Sequence, residues 1–364
     1  MDKRSENNKA FLTNIYRKGP FTRHGFYAKP AEYGIAELPD GDYTLSDKPV
    51  TEWVPYFAEN YRREIEMLES AGGDIVPQAR ASTATHIYAA AFGAKVHAYR
   101  GMNTNPAAMP FITNGEEADR LEEPDIWKSP TLYRIFEMNR ALQRELGHDV
   151  PLGPPDLQSG FDIMSQIWDK TDLFCSMVLP DKKEAVHRLN EKCARLLKKV
   201  IAELRKEFPT MQVCHCPGAW TPPEMGPWLS NDECGEFGPD LFEEYCMPEL
   251  VDLSTAFGGL GMHCCAKAEH QFENFMKIPN FYGFNRVASK NTRGYKAMLE
   301  YFKDASAPVL VFGWLDDETT EWFIANAPEG VRCIFTQLGA SSENAKRWLD
   351  RMTAVSATRV SSRA

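Results

Sequence analysis

Apolar residues recur every three or four positions along several segments of the chain, which is the spacing of a helix with one buried face. The clearest such helix follows an Asp181-x-x-Glu184 capping box and carries apolar side chains from Ala185 to Leu204. Between the helical patterns lie short apolar or alternating runs bounded by Gly and Pro, such as residues 309–312, and these are typical of strands. From about residue 150 to the end, predicted strands alternate with predicted helices.

This alternation predicts parallel strands joined by crossover helices, in either a closed barrel or a doubly wound sheet. A dinucleotide-binding sheet would carry G-x-G-x-x-G after a strand, whereas the glycine-rich residues 258–261 precede theirs. We therefore expect an α/β fold with a single (β/α)8 TIM barrel over residues 51–364, and its first strand at residues 74–77. Residues 1–50, rich in Pro, Gly and aromatic residues, are expected to form an irregular or helical N-terminal arm.

Two neighbouring predicted strands end on residues that bind metals. One ends on His263-x-Cys265, and the strand predicted before it, over residues 211–216, ends on Cys-His-Cys. Side chains alternate along a strand, so His263 and Cys265 share one face. Neighbouring strands lie about 4.8 Å apart, so both pairs are expected to face one cavity. Such a cavity lies at the carboxyl ends of the strands, where barrels carry their chemistry.

Imidazole nitrogen and thiolate sulfur are good zinc ligands, and a catalytic zinc typically takes three protein ligands. The same alternation points Cys214 and Cys216 toward the cavity and turns His215 and Cys264 away from it. Cys333, which falls inside a later predicted strand, is another candidate for the third ligand. The alternative for each cysteine is a buried structural thiol, because free cysteines are among the most buried residues.

Other residues near these strand ends could bind or orient a substrate. Asp232 follows the Cys-His-Cys segment and could orient the substrate or hold the proton of a metal ligand, or it could cap a helix. Trp220, Trp228 and Tyr282 could wall an apolar pocket for a planar ligand, or could be plain core. Arg286 could pair with an anionic substrate, or could be a solvated surface arginine.

Composition excludes several classes of protein. A net charge of −10 disfavours nucleic-acid partners, and no apolar run approaches the roughly 18 residues of a membrane span. The N-terminal charges lack an apolar segment behind them, so we expect no secretory signal and a cytoplasmic location. Nine cysteines, an odd number, disfavour a disulfide framework. Serine hydrolase, kinase and zincin motifs (G-x-S-x-G, G-K-[ST], H-E-x-x-H) are absent from the sequence.

Several stretches are similar to those of a known family. The sequence resembles the uroporphyrinogen decarboxylase superfamily, which includes corrinoid-dependent methyltransferases, over about residues 50–355. The stretches that carry this resemblance are residues 91–96, Gly160-Phe161-Asp162-Ile163, Leu229-Ser230-Asn231-Asp232, residues 239–245, Met262-His263-Cys264-Cys265 and residues 343–345. The resemblance implies a (β/α)8 barrel with its pocket at the carboxyl ends of the strands.

The resemblance also implies which chemistry to expect. Decarboxylases of the family are metal-free and carry an N-terminal Arg-Gln-Ala-Gly-Arg-Tyr run, which this chain lacks. The methyltransferase branch binds zinc through His-x-Cys and a later Cys; His263 and Cys265 match the first part, but residues 337–340 lack the later Cys. We therefore take Cys216, from the neighbouring strand, as the third ligand.

Three hypotheses follow from the resemblance. The first is a zinc-dependent methyltransferase that moves a methyl group between a corrinoid (cobalamin), carried by a partner protein, and a thiol or small methylated substrate. The second is a metal-free decarboxylase-like enzyme acting on a tetrapyrrole or another carboxylated ring. The third is a non-catalytic barrel that binds a corrinoid or porphyrin. The direction of transfer and the substrate stay open, and a homodimer is one option for its assembly.

Overall fold

The computed structural model of the chain describes residues 3–33, 42–97, 106–287, 292–304, 306–313 and 315–362. The strands are β1 (Gly25–Lys29), β2 (Lys95–His97), β3 (Ala107–Met109), β4 (Trp228–Ser230), β5 (Leu260–Cys264), β6 (Phe281–Arg286), β7 (Val309–Gly313) and β8 (Cys333–Leu338). The helices are α1 (Lys3–Tyr16), α2 (Val54–Ser70), α3 (Ile87–Ala91), α4 (Gly115–Arg120), α5 (Pro130–Leu146), α6 (Gly160–Ile167), α7 (Lys170–Val178), α8 (Lys183–Glu207), α9 (Pro239–Tyr245), α10 (Met247–Phe257), α11 (Phe272–Met276), α12 (Thr292–Tyr301), α13 (Asp317–Asn326) and α14 (Ser342–Ser361).

The main sheet is parallel, as the alternation of helices and strands predicts. Its six strands lie in the order β1-β8-β7-β6-β5-β4, and β2 and β3 form a separate antiparallel pair. Single backbone contacts continue the arc beyond β1. The Asp74 N–H donates to the Phe26 carbonyl over 2.7 Å, Ala79 pairs in parallel with Leu152, and Leu152 pairs with Met211. The fold is therefore α/β and follows the (β/α)8 barrel plan expected from the sequence.

Two strand predictions were wrong. Residues 211–216 contain a single bridging residue, Met211, and no strand, and the Gln212 side chain bonds both the N–H and the carbonyl of Cys214 in place of a neighbouring strand. The first strand is β1 and not residues 74–77, which form no strand. β1 lies within the segment expected to be an arm and pairs with β8 along its whole length.

Aromatic rings fill the space that the curved sheet encloses, below the carboxyl ends of the strands. Trp228 on β4 is completely buried, and a Cβ atom at Gly261 or Gly283 on the next two strands would overlap its ring. Tyr282 meets the Trp228 ring edge-on at 6.0 Å and meets Tyr16 of α1 at 5.9 Å between ring centroids. This layer forms a solid floor, so any cavity for chemistry lies above it, toward the carboxyl ends of β4 to β6.

The helices bury their apolar faces against the outside of the sheet. α10 ends at Gly258, whose φ of 81° is left-handed and favours glycine, and the chain then enters β5. Leu260 and Met262 of β5 point into the outer core, so Gly261 and His263 point inward.

Of the helices that the structure describes, none has both the length and the apolar character that crossing a membrane requires.

Candidate metal centre

His263 and Cys265 lie together at the carboxyl end of β5, with Asp232 from the loop after β4. His263 Nε2 is 3.0 Å from Cys265 Sγ and 3.9 Å from Asp232 Oδ1. The Cys265 backbone N–H donates to Asp232 Oδ1 over 2.6 Å, which ties the two loops to each other. One ligand atom from each of the three residues lies within 4.8 Å of the other two. This group of nitrogen, sulfur and oxygen donors is called the ligand trio below.

Asn285 fixes the tautomer of His263. The Asn285 Nδ2 donates to the Val311 carbonyl over 2.7 Å, so its Oδ1 must be the atom that faces His263 Nδ1, 2.6 Å away. The proton of the neutral imidazole therefore lies on Nδ1, and the Nε2 lone pair faces the Cys265 and Asp232 side chains. A histidine that ligates a metal usually donates its other N–H in this way.

Three cysteines were candidates for the third ligand, and of these Cys216 lies at the site. Its Sγ is 3.7 Å from His263 Nε2, and a tetrahedral zinc would hold a nitrogen and a sulfur about 3.5 Å apart. Cys216 is nevertheless not a member of the ligand trio. The Cys214 thiol donates to the Cys216 carbonyl over 3.4 Å and belongs to the interior core. Cys333 begins β8, so it lies at the amino end of its strand and away from the site.

His215 faces the site, although strand alternation predicted that it would point away from it. Its ring centroid is 6.4 Å from that of His263, and its Nε2 is 2.9 Å from Ser230 Oγ. The prediction assumed the alternation of a strand, which residues 211–216 do not form. Burial, with the nearby charge of Arg80, holds the pKa of His215 well below its usual range. His215 is therefore a neutral ring that donates from Nδ1 to the Trp228 carbonyl over 3.1 Å.

The two thiols of the site are protonated at neutral pH without a cation. Burial raises the pKa of Cys216 to about 12, and burial followed by the Asp232 charge raises the pKa of Cys265 well above its usual value. Only the thiolate form of cysteine is a strong ligand or nucleophile. A bound cation would reverse both shifts, and metal binding would release the thiol protons.

A buried carboxylate outside the ligand trio holds the loop that carries Asp232. Asp162, on the first turn of α6, accepts the Asp232 N–H over 2.7 Å and the Glu233 N–H over 3.2 Å. Burial and the negative charges of Asp232 and Glu233 raise the pKa of the Asp162 carboxyl. Three acidic side chains therefore converge here, and Lys170 pairs with Glu233 at their edge over 2.6 Å. A divalent cation in the ligand trio would offset this concentration of negative charge.

The four residues predicted to bind substrate lie elsewhere. Trp228 and Tyr282 belong to the aromatic floor, and Trp220 is buried in the same core cluster. The Arg286 side chain is buried and pairs with Glu269 over 2.6 Å. Its Nε also donates to the carbonyl of Ala266 over 3.3 Å, so it braces the turn after β5 and is already neutralised. Side chains alternate along β6, so Arg286 points outward because its neighbour Asn285 points inward.

Sequence reasoning missed two charged residues near the site. Arg80 follows the segment that pairs with Leu152, and its Nε donates to the Pro154 carbonyl over 3.2 Å. Asp156 has an oxygen 3.9 Å from His215 Nε2, and its pKa is raised by burial and lowered in part by Gln158 and Arg80. Both follow short apolar runs, at residues 74–79 and 150–152. That position, directly after a segment whose isolated parallel bridge continues the arc of the sheet, is the signal that could have identified them.

A family model shows the family of this chain, and a solved structure shows a similar fold. The family model described as uroporphyrinogen decarboxylase (URO-D) matches residues 64–317, which include the whole ligand trio and Cys216. A similar solved structure is a methyltransferase from Methanosarcina mazei, with a TM-score of 0.65 and 11% identity, covering 95% of this chain and 98% of that one. At this identity, the likeness concerns the fold. No curated protein matches the chain.

Proposed function

Because the chain belongs to the uroporphyrinogen decarboxylase family, we propose that it is an enzyme of this family that uses zinc to transfer a methyl group. The methyl group would move between a corrinoid, carried by a partner protein, and a thiol or another small methylated substrate. The single observation that carries the proposal is the ligand trio, with the Nε2 lone pair of His263 directed at Cys265 and Asp232.

The donor set fits zinc better than a hard cation. Imidazole and thiolate ligands suit zinc, whereas magnesium and calcium take oxygen donors. His263, Cys265 and Asp232 would be the protein ligands, and the Cys216 thiol, 3.7 Å from His263 Nε2, is the alternative to Asp232. When bound, zinc acts as a Lewis acid that lowers the pKa of a thiol and keeps it as a thiolate near neutral pH.

The protein's own residues would orient and shield the reaction. Asn285 keeps the His263 proton on Nδ1, and the aromatic floor closes the interior below. In one direction of transfer, a substrate thiolate would attack the methyl carbon of a methylated corrinoid. An S–C bond would form as the bond between that carbon and the corrinoid breaks, and the electron pair of the broken bond would stay on the corrinoid. The thiol proton leaves to solvent beforehand, so charge and electrons balance.

A metal-free decarboxylase is the second candidate, and Arg80 and Asp156 favour it. Arg80 is partly exposed near the site and could bind a substrate carboxylate. Burial raises the pKa of Asp156, which suits a carboxylic acid that protonates the carbon from which CO₂ departs. The third hypothesis, a non-catalytic barrel, predicts binding of a corrinoid or porphyrin without turnover.

A methyl-transfer assay separates these functions. Methylcobalamin and a small thiol serve as probes, and demethylation is followed by the change in the cobalamin visible spectrum. We expect turnover by the wild type, loss of turnover in Cys265→Ser and with a strong chelator, and normal turnover in Cys175→Ser, which alters an exposed thiol on α7. Release of CO₂ from a carboxylated tetrapyrrole, insensitive to the chelator, would favour the decarboxylase instead. Cobalamin binding without either reaction would favour the non-catalytic barrel.

A further inference from the structure

The loop that brings Asp232 to the site is held by a residue with no place in the ligand trio. Asp162 is buried, and its two carboxylate oxygens accept the backbone N–H groups of Asp232 and Glu233, at 2.7 and 3.2 Å. The Asp162 backbone N–H is itself bonded to Ser159 Oγ, which caps α6. Because Ser159 caps α6, the Asp162 side chain is not needed as a cap and bonds the neighbouring loop instead.

Asp162 bonds the backbone at the start of the turn that follows Asp232, and the Asp232 side chain does not cap that turn. Asp232 precedes the short helical turn Glu233–Gly235, and a residue at that position usually bonds the first free N–H groups of its own helix. Asp232 makes no such bond. Its carboxylate instead accepts the Cys265 N–H and lies 3.9 Å from His263 Nε2. Asp162 thus holds the two backbone N–H groups at the start of the turn, and the Asp232 carboxylate, which makes no cap, faces the ligand trio.

We propose that Asp162 is a positioning residue that sets the Asp232 carboxylate against His263 and Cys265 and so tunes the metal site. The inference rests on the proposed function, since it requires a metal held with the help of Asp232. It adds a residue that touches neither metal nor substrate and acts through the Asp232 backbone.

The element that carries Asp162 is fixed relative to β5. Glu249, on the helix that leads into β5, accepts the Gly160 N–H over 2.7 Å and the Phe161 N–H over 3.1 Å. A Cβ atom at Gly160 would overlap the Glu249 carboxylate and lie 2.9 Å from the Ala194 nitrogen, so only glycine fits there. The first turn of α6 is therefore located by the same helix, α10, that positions His263.

Other contacts keep the loop attached when Asp162 changes. Ser165 Oγ donates to Glu233 Oε1 over 3.1 Å, and Lys170 pairs with the same oxygen. Both hold the Glu233 side chain, and neither holds the Asp232 N–H. Substitution of Asp162 is thus expected to release Asp232 without detaching the loop, which makes its role measurable in a folded protein.

The test is a double-mutant cycle on metal affinity in the full chain. Asp162→Asn keeps the shape of the side chain, but an amide can accept only one of the two N–H groups well and directs its NH₂ at the other. Zinc affinity is measured by competition with a chromogenic chelator, and the visible spectrum of the Co²⁺-loaded protein reports the ligand geometry. Asp169→Asn is the matched control, because Asp169 also accepts two backbone N–H groups at a helix start but at α7, outside the site.

We expect Asp162→Asn to weaken zinc binding about 10- to 100-fold, as loss of a residue that orients a metal ligand does, and to move the Co²⁺ spectrum toward that of Asp232→Asn. In an Asp232→Asn background, the same substitution should change affinity by about twofold or less, because the two residues act as one unit. The Asp169 control should leave affinity and spectrum unchanged.

Two results would overturn the inference in different ways. An equal loss of affinity in both backgrounds, or unchanged affinity with wild-type Asp232, would show that Asp162 is a structural residue only, and the proposed function would stand. A wild-type protein that binds no zinc would overturn the proposed function and this inference with it. Circular dichroism melting of each variant confirms that the comparison is made on folded protein.

Discussion

Replacing Asn285 with alanine should weaken zinc binding because it changes the tautomer and orientation of the His263 ring. It should leave Cys265 and Asp232, the other two members of the ligand trio, unchanged. Asn285 accepts the His263 Nδ1 proton at 2.6 Å and donates to the Val311 carbonyl at 2.7 Å. The alanine variant loses both hydrogen bonds. The imidazole is then free to rotate and to place its proton on Nε2, where it would block the lone pair that a metal needs.

The expected size of the effect follows from burial. Asn285 and Val311 are both fully buried, so water does not readily replace the lost partner, and an unsatisfied buried N–H costs about 1–3 kcal/mol. Loss of the hydrogen-bond partner of a ligating histidine typically lowers metal affinity about 10- to 100-fold. This corresponds to about 1.4–2.7 kcal/mol of binding free energy. We expect a value in the upper half of this range.

The assay is zinc competition with a chromogenic chelator, alongside thermal unfolding without metal. Asn274→Ala is the control, since Asn274 is also buried and donates to a backbone carbonyl, that of Pro239 at 3.0 Å, but lies outside the site. Both variants should lose thermal stability, and only Asn285→Ala should lose zinc affinity. Equal zinc affinities in the two variants would refute the assignment of His263 as a ligand oriented by Asn285.

Three further predictions follow from other parts of the structure. Gly261→Ala crowds the Trp228 ring and should destabilise the protein by about 1–3 kcal/mol, measured by its denaturant midpoint; an unchanged midpoint would contradict the packing. Burial raises the pKa of Glu249 to about 8, so folding binds a proton and stability should fall as pH rises from about 5 to 8. Glu249→Gln should flatten the melting temperature over that range, and a profile parallel to the wild type would contradict this. Zinc should slow the alkylation of Cys265 and leave the alkylation rate of Cys175, which is also exposed, unchanged. A Cys265 rate that is the same with and without zinc would argue against Cys265 as a ligand.

Local patterns in the sequence predicted the elements whose signals lie within one segment. The alternation of strands and helices predicted a parallel α/β sheet, and β5 runs over Leu260–Cys264, as the His263-x-Cys265 pattern required. The predicted long amphipathic helix is α8, but the predicted capping box is not formed, because α8 begins at Lys183 with Lys182 before it and has no side-chain cap. In each case the residues that decide the structure are neighbours along the chain, so periodicity was sufficient.

Features that depend on distant contacts were beyond such patterns. His215 was misplaced because alternation applies only within a strand, and residues 211–216 leave the sheet after one bridging residue. Trp228 was expected to be either a pocket wall or plain core, and its ring fills the core. Gly261 and Gly283, on the adjacent strands β5 and β6, were the sign of a large ring packed against them. The role of Asp162 depends on hydrogen bonds to residues about 70 positions later, which no local pattern reveals.

The most direct test of the account is the zinc content of the protein, purified without an affinity tag and without chelator. The account predicts about one zinc per chain in the wild type, since the ligand trio forms one site. It also predicts loss of that zinc in both His263→Ala and Cys265→Ser, each still folded by circular dichroism. A wild type without zinc, or zinc retained at the same level in both variants, would contradict the metal site at the carboxyl end of β5.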